Sequence, residues 1–168
     1  MTTSNTSPLP DTPSSTDPVE RCIDHLKGGL NCAESVLHGF NECYDLGLPE
    51  SARGIATPFG AGVSTAKCLC GGVSGGLMAL GLARGRTSAS EPAGPAFDAG
   101  RELHSRFLDH FQSVYCRDLT AHLAWDQPER REACQAYVRY AAEVVHSILD
   151  GDGRPVPERQ RAESADRD

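Results

Sequence analysis

Seven cysteines are the residues of this chain best suited to chemistry. Seven among 168 residues is a high count for a reducing compartment, and an odd count does not suit a set of structural disulfides. Thiolates bind soft metals and attack disulfides, so this composition favours metal binding or redox chemistry. The seven are Cys22, Cys32, Cys43, Cys68, Cys70, Cys116 and Cys134.

Cys68 and Cys70 lead directly into residues 71–82, which are almost all glycine or small and apolar residues. The spacing of the apolar residues predicts a central, buried helix, and the glycines would let neighbouring elements approach it closely. Ser64 and Thr65 are candidate caps, which would place both cysteines in the first turns, where the helix dipole favours a thiolate. A reactive or ligating sulfur and a pair of small packed thiols both fit this stretch.

Cys32 has a similar position at the start of another predicted helix. Asn31 and Glu34 have the spacing of a capping box, which places Cys32 in the first turn. The helix dipole lowers the pKa of a thiol at such a position. Packing is predicted for Cys22, which lies on an apolar helical face, and for Cys43, which has no partner at ligand spacing.

The elements that must position these residues are all predicted to be helices. The first begins at Asp17-Pro18, with Asp17 as cap and Pro18 at the first helical position. Runs of alternating β-branched residues are absent from the sequence, so strands are not expected. The prediction is an all-α, single-domain bundle of about five or six helices over residues 17–150, between disordered tails at 1–16 and 151–168. Beyond the first helix, the predicted helices cover residues 31–44, 51–56, the central stretch, 97–115 and 129–149.

Composition and charge exclude several function classes. The net charge of −7 and the absence of a cluster of Lys and Arg argue against nucleic-acid binding. No apolar run approaches the length of a membrane-spanning helix, and the first residues lack the pattern of a signal peptide. A cytoplasmic protein is therefore expected. No pair of histidines has a zinc-binding spacing, so no histidine is assigned to a site.

Five landmarks, taken in order, resemble one protein family. It is a family of redox-active proteins named for a Cys-Gly-Ala-x-x-Gly motif among separated cysteines, which is also found as a domain of split-Soret cytochromes. The resemblance covers roughly residues 20–150. The landmarks are Asn31-Cys32-Ala33-Glu34-Ser35-Val36, Phe59-Gly60-Ala61-Gly62, Cys70-Gly71-Gly72-Val73-Ser74-Gly75, Cys116-Arg117-Asp118-Leu119 and Cys134.

The resemblance implies a set of functional positions. Carried over by position, the four cysteines of the family fall on Cys32, Cys70, Cys116 and Cys134. Two departures are visible: the alanine of the motif is Gly72 here, and Cys68 creates a Cys-x-Cys pair in which either sulfur could be the functional one.

Three chemistries follow from four such cysteines. The first is an iron–sulfur cluster, because the split-Soret relatives are associated with one and such clusters are usually held by four cysteines. In that case Gly71, Gly72 and Gly75 would leave room for inorganic sulfide beside Cys70. The second is metal-free thiol–disulfide chemistry, an oxidoreductase activity with Cys70 or Cys32 as nucleophile and a second cysteine, for which Cys68 is a candidate, as resolving thiol. The third is a structural zinc site of four cysteines.

The partners expected from the sequence are few. Haem is not expected, because the chain has no Cys-x-x-Cys-His attachment site. The remaining expectation is an electron-transfer partner or a small-molecule substrate, neither of which the sequence identifies. The glycine-rich helix surface would also permit a close helix–helix contact, within one chain or in a homodimer.

Overall fold

The computed structural model describes residues 17–124 and 128–151. Over these residues the chain forms seven α-helices and one 3-10 helix, with no β-strand and a single isolated bridge between Leu69 and Tyr115. The predicted all-α bundle is confirmed. The helices are α1 (Pro18–Lys27), α2 (Cys32–Tyr44), the 3-10 helix (Glu50–Phe59), α3 (Gly60–Val63), α4 (Gly71–Arg84), α5 (Gly94–Phe111), α6 (Cys116–Leu119) and α7 (Pro128–Gly151).

The first two helices begin where their capping residues predict. The Asp17 carboxylate accepts a hydrogen bond from the Val19 N–H at 2.8 Å, and Pro18 occupies the first helical position. At α2 the Asn31 side chain accepts from the backbone of Glu34, whose carboxylate accepts from the Asn31 N–H at 2.8 Å. Both starts are set by residues within one turn, so the local sequence is sufficient to fix them.

The central helix α4 begins later than predicted. The prediction that Ser64 and Thr65 cap it is wrong, because both have positive φ, and Cys70 is the residue that precedes the first helical turn. Cys68 lies outside the helix, since its carbonyl accepts a hydrogen bond at 2.6 Å from the N–H of Cys116. Backbone pairing with a distant segment therefore takes residues 68–69 out of the helix.

Glycines let α4 lie against two neighbours at close range. A Cβ at Gly75 would sit 2.5 Å from the carbonyl oxygen of Ala33 in α2, and one at Gly72 would sit 3.2 Å from the carbonyl oxygen of Tyr137 in α7. Both glycines are buried. The close packing predicted for this helix is confirmed, and α4 positions the first residues of α2 and the middle of α7 around its own beginning.

The apolar core lies among α1, α2, α4, α5 and α7. Phe40 and Leu103 are fully buried within it, on α2 and α5. A second apolar cluster around Phe107 and Val73 lies next to Cys70 and continues the core toward the start of α4.

Several element bounds differ from the sequence prediction. The segment predicted as a short helix at 51–56 is the longer 3-10 helix, and the long helix over 97–115 is α5, which ends at Phe111. The predicted tails at 1–16 and 151–168 lie outside the described residues, apart from Gly151, which ends α7. Among the described helices none combines the length and the apolarity needed to cross a membrane.

Candidate functional site

A single cavity collects four of the seven cysteines. Its volume is about 140 Å³, and it lies where the beginnings of α2, α4 and α6 meet α7 and α3. We call Cys32, Cys70, Cys116 and Cys134 the cavity cysteines. The remaining lining residues are Asn31, Ala61, Gly62, Gly71, Leu119, Thr120, Arg130, Tyr137 and Val138.

Each cavity cysteine comes from a different helix. Cys32 is the first residue of α2, Cys70 immediately precedes α4, and Cys116 is the first residue of α6. Cys134 lies near the beginning of α7. Because the two long helices α2 and α4 point their unpaired N–H groups toward this region, a negatively charged sulfur is favoured there.

The wall of the cavity formed by α3 and the residues after it has an unusual backbone, and within α3 itself Ala61 and Gly62 do not have helical φ and ψ. We call residues 60–67 the strap; Ala61, Val63, Ser64, Thr65 and Lys67 in it all have positive φ. Such a conformation costs about 1–2 kcal/mol for each residue that carries a Cβ. Gly62 has a positive φ of 71° as well, and a Cβ there would lie 2.6 Å from the Cβ of Cys116. Only glycine therefore fits where the strap crosses the cavity.

Backbone hydrogen bonds hold the strap against the start of α6. Within this segment the N–H of Cys68 donates to the Gly62 carbonyl at 2.8 Å. At α6 the N–H of Arg117 donates to the Lys67 carbonyl at 3.0 Å. On the other side, the N–H of Cys70 donates to the Val114 carbonyl at 2.8 Å. These bonds place Cys70 and Cys116 on adjacent segments although they are distant in sequence.

Cys32 and Cys134 both line the cavity, and each shifts the pKa of the other. The neighbouring Cys134 thiol is the largest cause that lowers the pKa of Cys32, to about 7. The N–H groups of Ala61 and of Cys32 itself lower it further, against the opposing effect of burial. The neighbouring Cys32, together with burial, raises the pKa of Cys134. The two shifts therefore favour the loss of one proton from the pair over the loss of two.

Cys70 differs from the prediction made for it. Burial raises its pKa to about 12, and the nearby Cys32 raises it as well. Hydrogen bonds from the N–H groups of Gly72 and Val73 act in the opposite direction, as the helix start predicts, but they are the smaller effect. In the absence of a metal, Cys70 is a buried thiol, because desolvation outweighs the helix terminus.

Arg130 is a cavity residue that the sequence did not reveal. It is buried, and its guanidinium donates to the Thr120 hydroxyl at 3.3 Å and to the Cys116 sulfur at 3.8 Å. In the sequence it stands in Glu129-Arg130-Arg131-Glu132, which is typical of a solvated helical face. Only the position of α7 against α6 turns this side chain inward and brings a positive charge to the sulfurs.

The other predicted site residues lie in different places. Gly71 lines the cavity, whereas Gly72 and Gly75 contact α7 and α2, and their role in binding a cofactor stays a prediction. Cys68 is exposed and is absent from the cavity wall. Cys22 is fully buried and donates to the Val36 carbonyl at 3.8 Å, in keeping with a packing role.

The cavity cysteines surround a space instead of converging on one point. Within residues 17–124 and 128–151, no three His, Cys, Asp or Glu side chains are grouped so that they could hold a metal ion. All seven cysteines lie in these ranges, and none of them is in a disulfide.

Comparison with known proteins gives a family and one relative. The family model described as "Putative redox-active protein (C_GCAxxG_C_C)" matches residues 30–148. A protein of Archaeoglobus fulgidus, named "Uncharacterized protein", is 26% identical over 137 residues, which cover 77% of this chain and 91% of that protein. No solved structure matches the chain.

Proposed function

Because this chain belongs to the family of redox-active proteins named for the C_GCAxxG_C_C pattern, we propose that its cavity cysteines hold an iron–sulfur cluster. The observation that carries the proposal is the meeting of four thiols, from four different helices, on one cavity. Four cysteines are the usual ligand set of such clusters.

The size of the cavity supports a group of several atoms. Its volume is about 140 Å³, and a cavity of about 150 Å³ accommodates a molecule of the size of benzene. A single ion would leave most of this space empty, which is unfavourable in a protein interior. A structural zinc ion would therefore require the four sulfurs to move toward one another.

The residues around the sulfurs suit a negatively charged group. The N–H groups of Gly72 and Val73 point at the Cys70 sulfur, and the N–H of Ala61 points at the Cys32 sulfur. Arg130 adds a guanidinium that donates to the sulfur of Cys116. Hydrogen bonds to the sulfurs and nearby charge are among the factors that set the reduction potential of such sites.

A bound cluster would supply one-electron transfer. The chain's own contribution is to hold four sulfurs on helices and to cover Cys70 and Cys116, which are 5% and 7% exposed, so that water has little access to them. The electron partner stays unidentified, and the cytoplasmic setting expected from the sequence is part of the proposal.

The metal-free alternative has less support in its predicted form. It named Cys70 or Cys32 as the nucleophile and Cys68 as a candidate for the resolving thiol. Cys70 is buried with a raised pKa, and Cys68 is exposed and outside the cavity wall.

The proposal is tested on the full chain purified without oxygen. We expect a brown protein with broad absorption in the near-ultraviolet and blue, and with iron and acid-labile sulfide in comparable amounts. Replacing any one cavity cysteine by serine is expected to lower the iron and sulfide content severalfold. Far-ultraviolet circular dichroism checks that each variant keeps its helices.

Cys68→Ser is the matched control, because Cys68 lies two residues from Cys70 but outside the cavity. It is expected to keep the full iron and sulfide content. A colourless wild type without iron or sulfide would refute the proposal, and bound zinc alone would favour the structural zinc site.

A further inference from the structure

The strap and the helices around the cavity differ in what holds them in place. Residues 63–67 of the strap are all exposed, and even Val63 is 39% exposed. By contrast, α2 and α7 bury apolar faces in the core. Segments with little buried surface open at a lower free energy than the core does. We propose that the strap is a movable cover of the cavity, which leaves α6 while the rest of the bundle stays folded.

Hydrogen bonds inside the segment maintain the shape of the strap. The N–H of Ser64 donates to the Gly60 carbonyl at 3.1 Å. The N–H of Cys68, the residue after the strap, donates to the Gly62 carbonyl at 2.8 Å. The positive φ values of the strap are therefore sustained largely within the segment itself, so that it can move as one preformed unit.

The contact between the strap and α6 is small. The Lys67 carbonyl accepts from the N–H of Arg117 at 3.0 Å, and Gly62 lies against the side chain of Cys116. The Arg117 side chain does not strengthen this contact, because it pairs with Asp118 of α6 at 3.6 Å. A single hydrogen bond that is replaced by bonds to water on opening contributes little to holding two segments together.

Both ends of the strap are fixed. At its start Gly60 is buried, and a Cβ there would overlap the Asn31 side chain. Beyond its end, the N–H of Cys70 donates to the Val114 carbonyl at 2.8 Å. The motion is therefore confined to the residues between Gly60 and Cys70.

Movement of the strap would uncover Cys116. Gly62 lies against this residue, which is 7% exposed, whereas Cys134 on the other side of the cavity is already partly exposed. A group of several atoms could then reach Cys116 without unfolding of the bundle. The inference goes beyond the proposed function, because it concerns access to the cavity and not the group that occupies it.

The test is amide hydrogen exchange, followed by NMR on the metal-free full chain at urea concentrations below unfolding. Movement of the strap breaks the bond from Arg117 to Lys67, so the Arg117 amide should exchange through an opening that depends weakly on urea, because little surface is exposed. The amide of Phe40, in the middle of α2, should exchange more slowly and with a steep dependence on urea. Equal protection and equal urea dependence of the two amides would overturn the inference.

Gly62→Ala provides a second test, because its methyl group would lie 2.6 Å from the Cβ of Cys116. The closed position becomes less favourable, and modification of Cys116 by iodoacetamide in the metal-free chain should become faster, on the order of tenfold. Mass spectrometry of the labelled peptides measures this rate. Cys134 should be modified at an unchanged rate, since it is partly exposed when the strap is closed.

Gly54→Ala, in the 3-10 helix with open space around it, is the matched control and should leave both rates unchanged. Equal responses of Cys116 and Cys134 to Gly62→Ala, or no response while circular dichroism shows a folded chain, would overturn the inference. If Gly62→Ala does not fold, the exchange of Arg117 and Phe40 in the wild type decides. Iron and sulfide analysis is a separate measurement, so the movable strap and the proposed cluster can fail independently.

Discussion

Helix α2 runs from the cavity, at Cys32, into the apolar core, at Phe40, and its two ends have different surroundings. In the core, Phe40 and Cys22 are fully buried among apolar side chains. At the cavity, polar N–H groups, a guanidinium and four thiols surround a space of about 140 Å³. The core stabilises the bundle by packing, whereas the cavity leaves space that packing would otherwise fill.

The same residue type behaves differently in the two regions. In the core, burial is the largest cause that raises the pKa of Cys22. At the cavity, the neighbouring Cys134 thiol is the largest cause that lowers the pKa of Cys32. Position within a helix does not determine the chemistry of a cysteine, because its partners and its access to polar groups decide which form is stable.

Glycine has the same use in both regions. A Cβ at Gly39 would lie 2.6 Å from the sulfur of Cys22, and one at Gly71 would lie 2.7 Å from the Cβ of Cys32. Each glycine makes room for a cysteine on a neighbouring helix. The difference between the regions therefore lies in what surrounds the sulfur and not in how the helices approach.

The largest effect on stability is expected in the core. Phe40→Ala removes a fully buried ring and should lower the free energy of unfolding by about 3–5 kcal/mol, through lost burial and the cavity left behind. Chemical denaturation of the metal-free chain measures it. Phe97→Ala on α5, where Phe97 is 69% exposed, should change stability by less than about 0.5 kcal/mol. Equal losses in the two variants would contradict the assignment of the core.

The next effect concerns the contact between α4 and α2. Gly75→Ala would place a methyl group 2.5 Å from the Ala33 carbonyl oxygen, so α4 and α2 must move apart. The free energy of unfolding should fall by about 1–3 kcal/mol. Gly81→Ala on the same helix has open space around it and should gain about 0.5–1 kcal/mol. If both variants gained stability, the close approach of α4 to α2 would be wrong.

The pH dependence of alkylation compares the two kinds of cysteine. In the metal-free chain, labelling of Cys32 by iodoacetamide should rise to half its maximum near pH 7, because its pKa is about 7. Cys43, whose pKa is raised chiefly by burial, should react only at higher pH. Mass spectrometry of the labelled peptides measures both. Parallel pH profiles for the two residues would contradict the proposed environment of Cys32.

The same pKa shift has a consequence for stability. Between about pH 7 and the ordinary value of 9.0, the folded chain has lost the Cys32 proton that the unfolded chain still holds. This group therefore adds stability as the pH rises through that window and adds none below it. The pKa of Cys134 is raised in the folded chain. This group therefore lowers stability only when the pH exceeds the ordinary pKa of a cysteine thiol.

The smallest effect is expected when the positive charge of Arg130 is removed, and it concerns the alkylation of Cys32. The neighbouring Cys134 thiol is the main cause of the lowered pKa of Cys32, and Arg130 contributes less. Arg130→Gln should move the alkylation profile of Cys32 modestly toward higher pH. Arg131→Gln, at an exposed neighbouring position, should leave the profile unchanged. An unchanged profile in the Arg130 variant would show that the guanidinium does not act on Cys32.

Local signals in the sequence determined the starts of α1 and α2 and the fold class. Asp17 with Pro18, and Asn31 with Glu34, fix the first turns of α1 and α2 because each acts within a single turn. The periodicity of apolar residues also predicted the long helices, with errors of a few residues at their ends. The four cavity cysteines followed from the resemblance of separated motifs and not from any spacing that indicates a ligand set.

The strap shows what the local sequence could not predict. Residues such as Ser64 and Thr65 rarely adopt positive φ, because their Cβ atoms approach the backbone too closely. Here the Lys67 carbonyl accepts from the N–H of Arg117, and the carbonyl of Cys68, the residue after the strap, accepts from the N–H of Cys116, so the segment is held against a distant one. Ser and Thr are common helix caps. The sequence therefore predicts that role for Ser64 and Thr65 and places the start of α4 too early.

The sequence by itself determined that this chain is a helical bundle, and the family resemblance indicated which of its cysteines could act together. Only the tertiary structure decided their surroundings: it brought Cys32 and Cys134 to one cavity, buried Cys70 and turned Arg130 inward. The physical reason is range. Caps and apolar periodicity act over one or two turns, whereas desolvation and the charges near a sulfur depend on which helices pack together, so the chemistry of the site appears only when the bundle has formed.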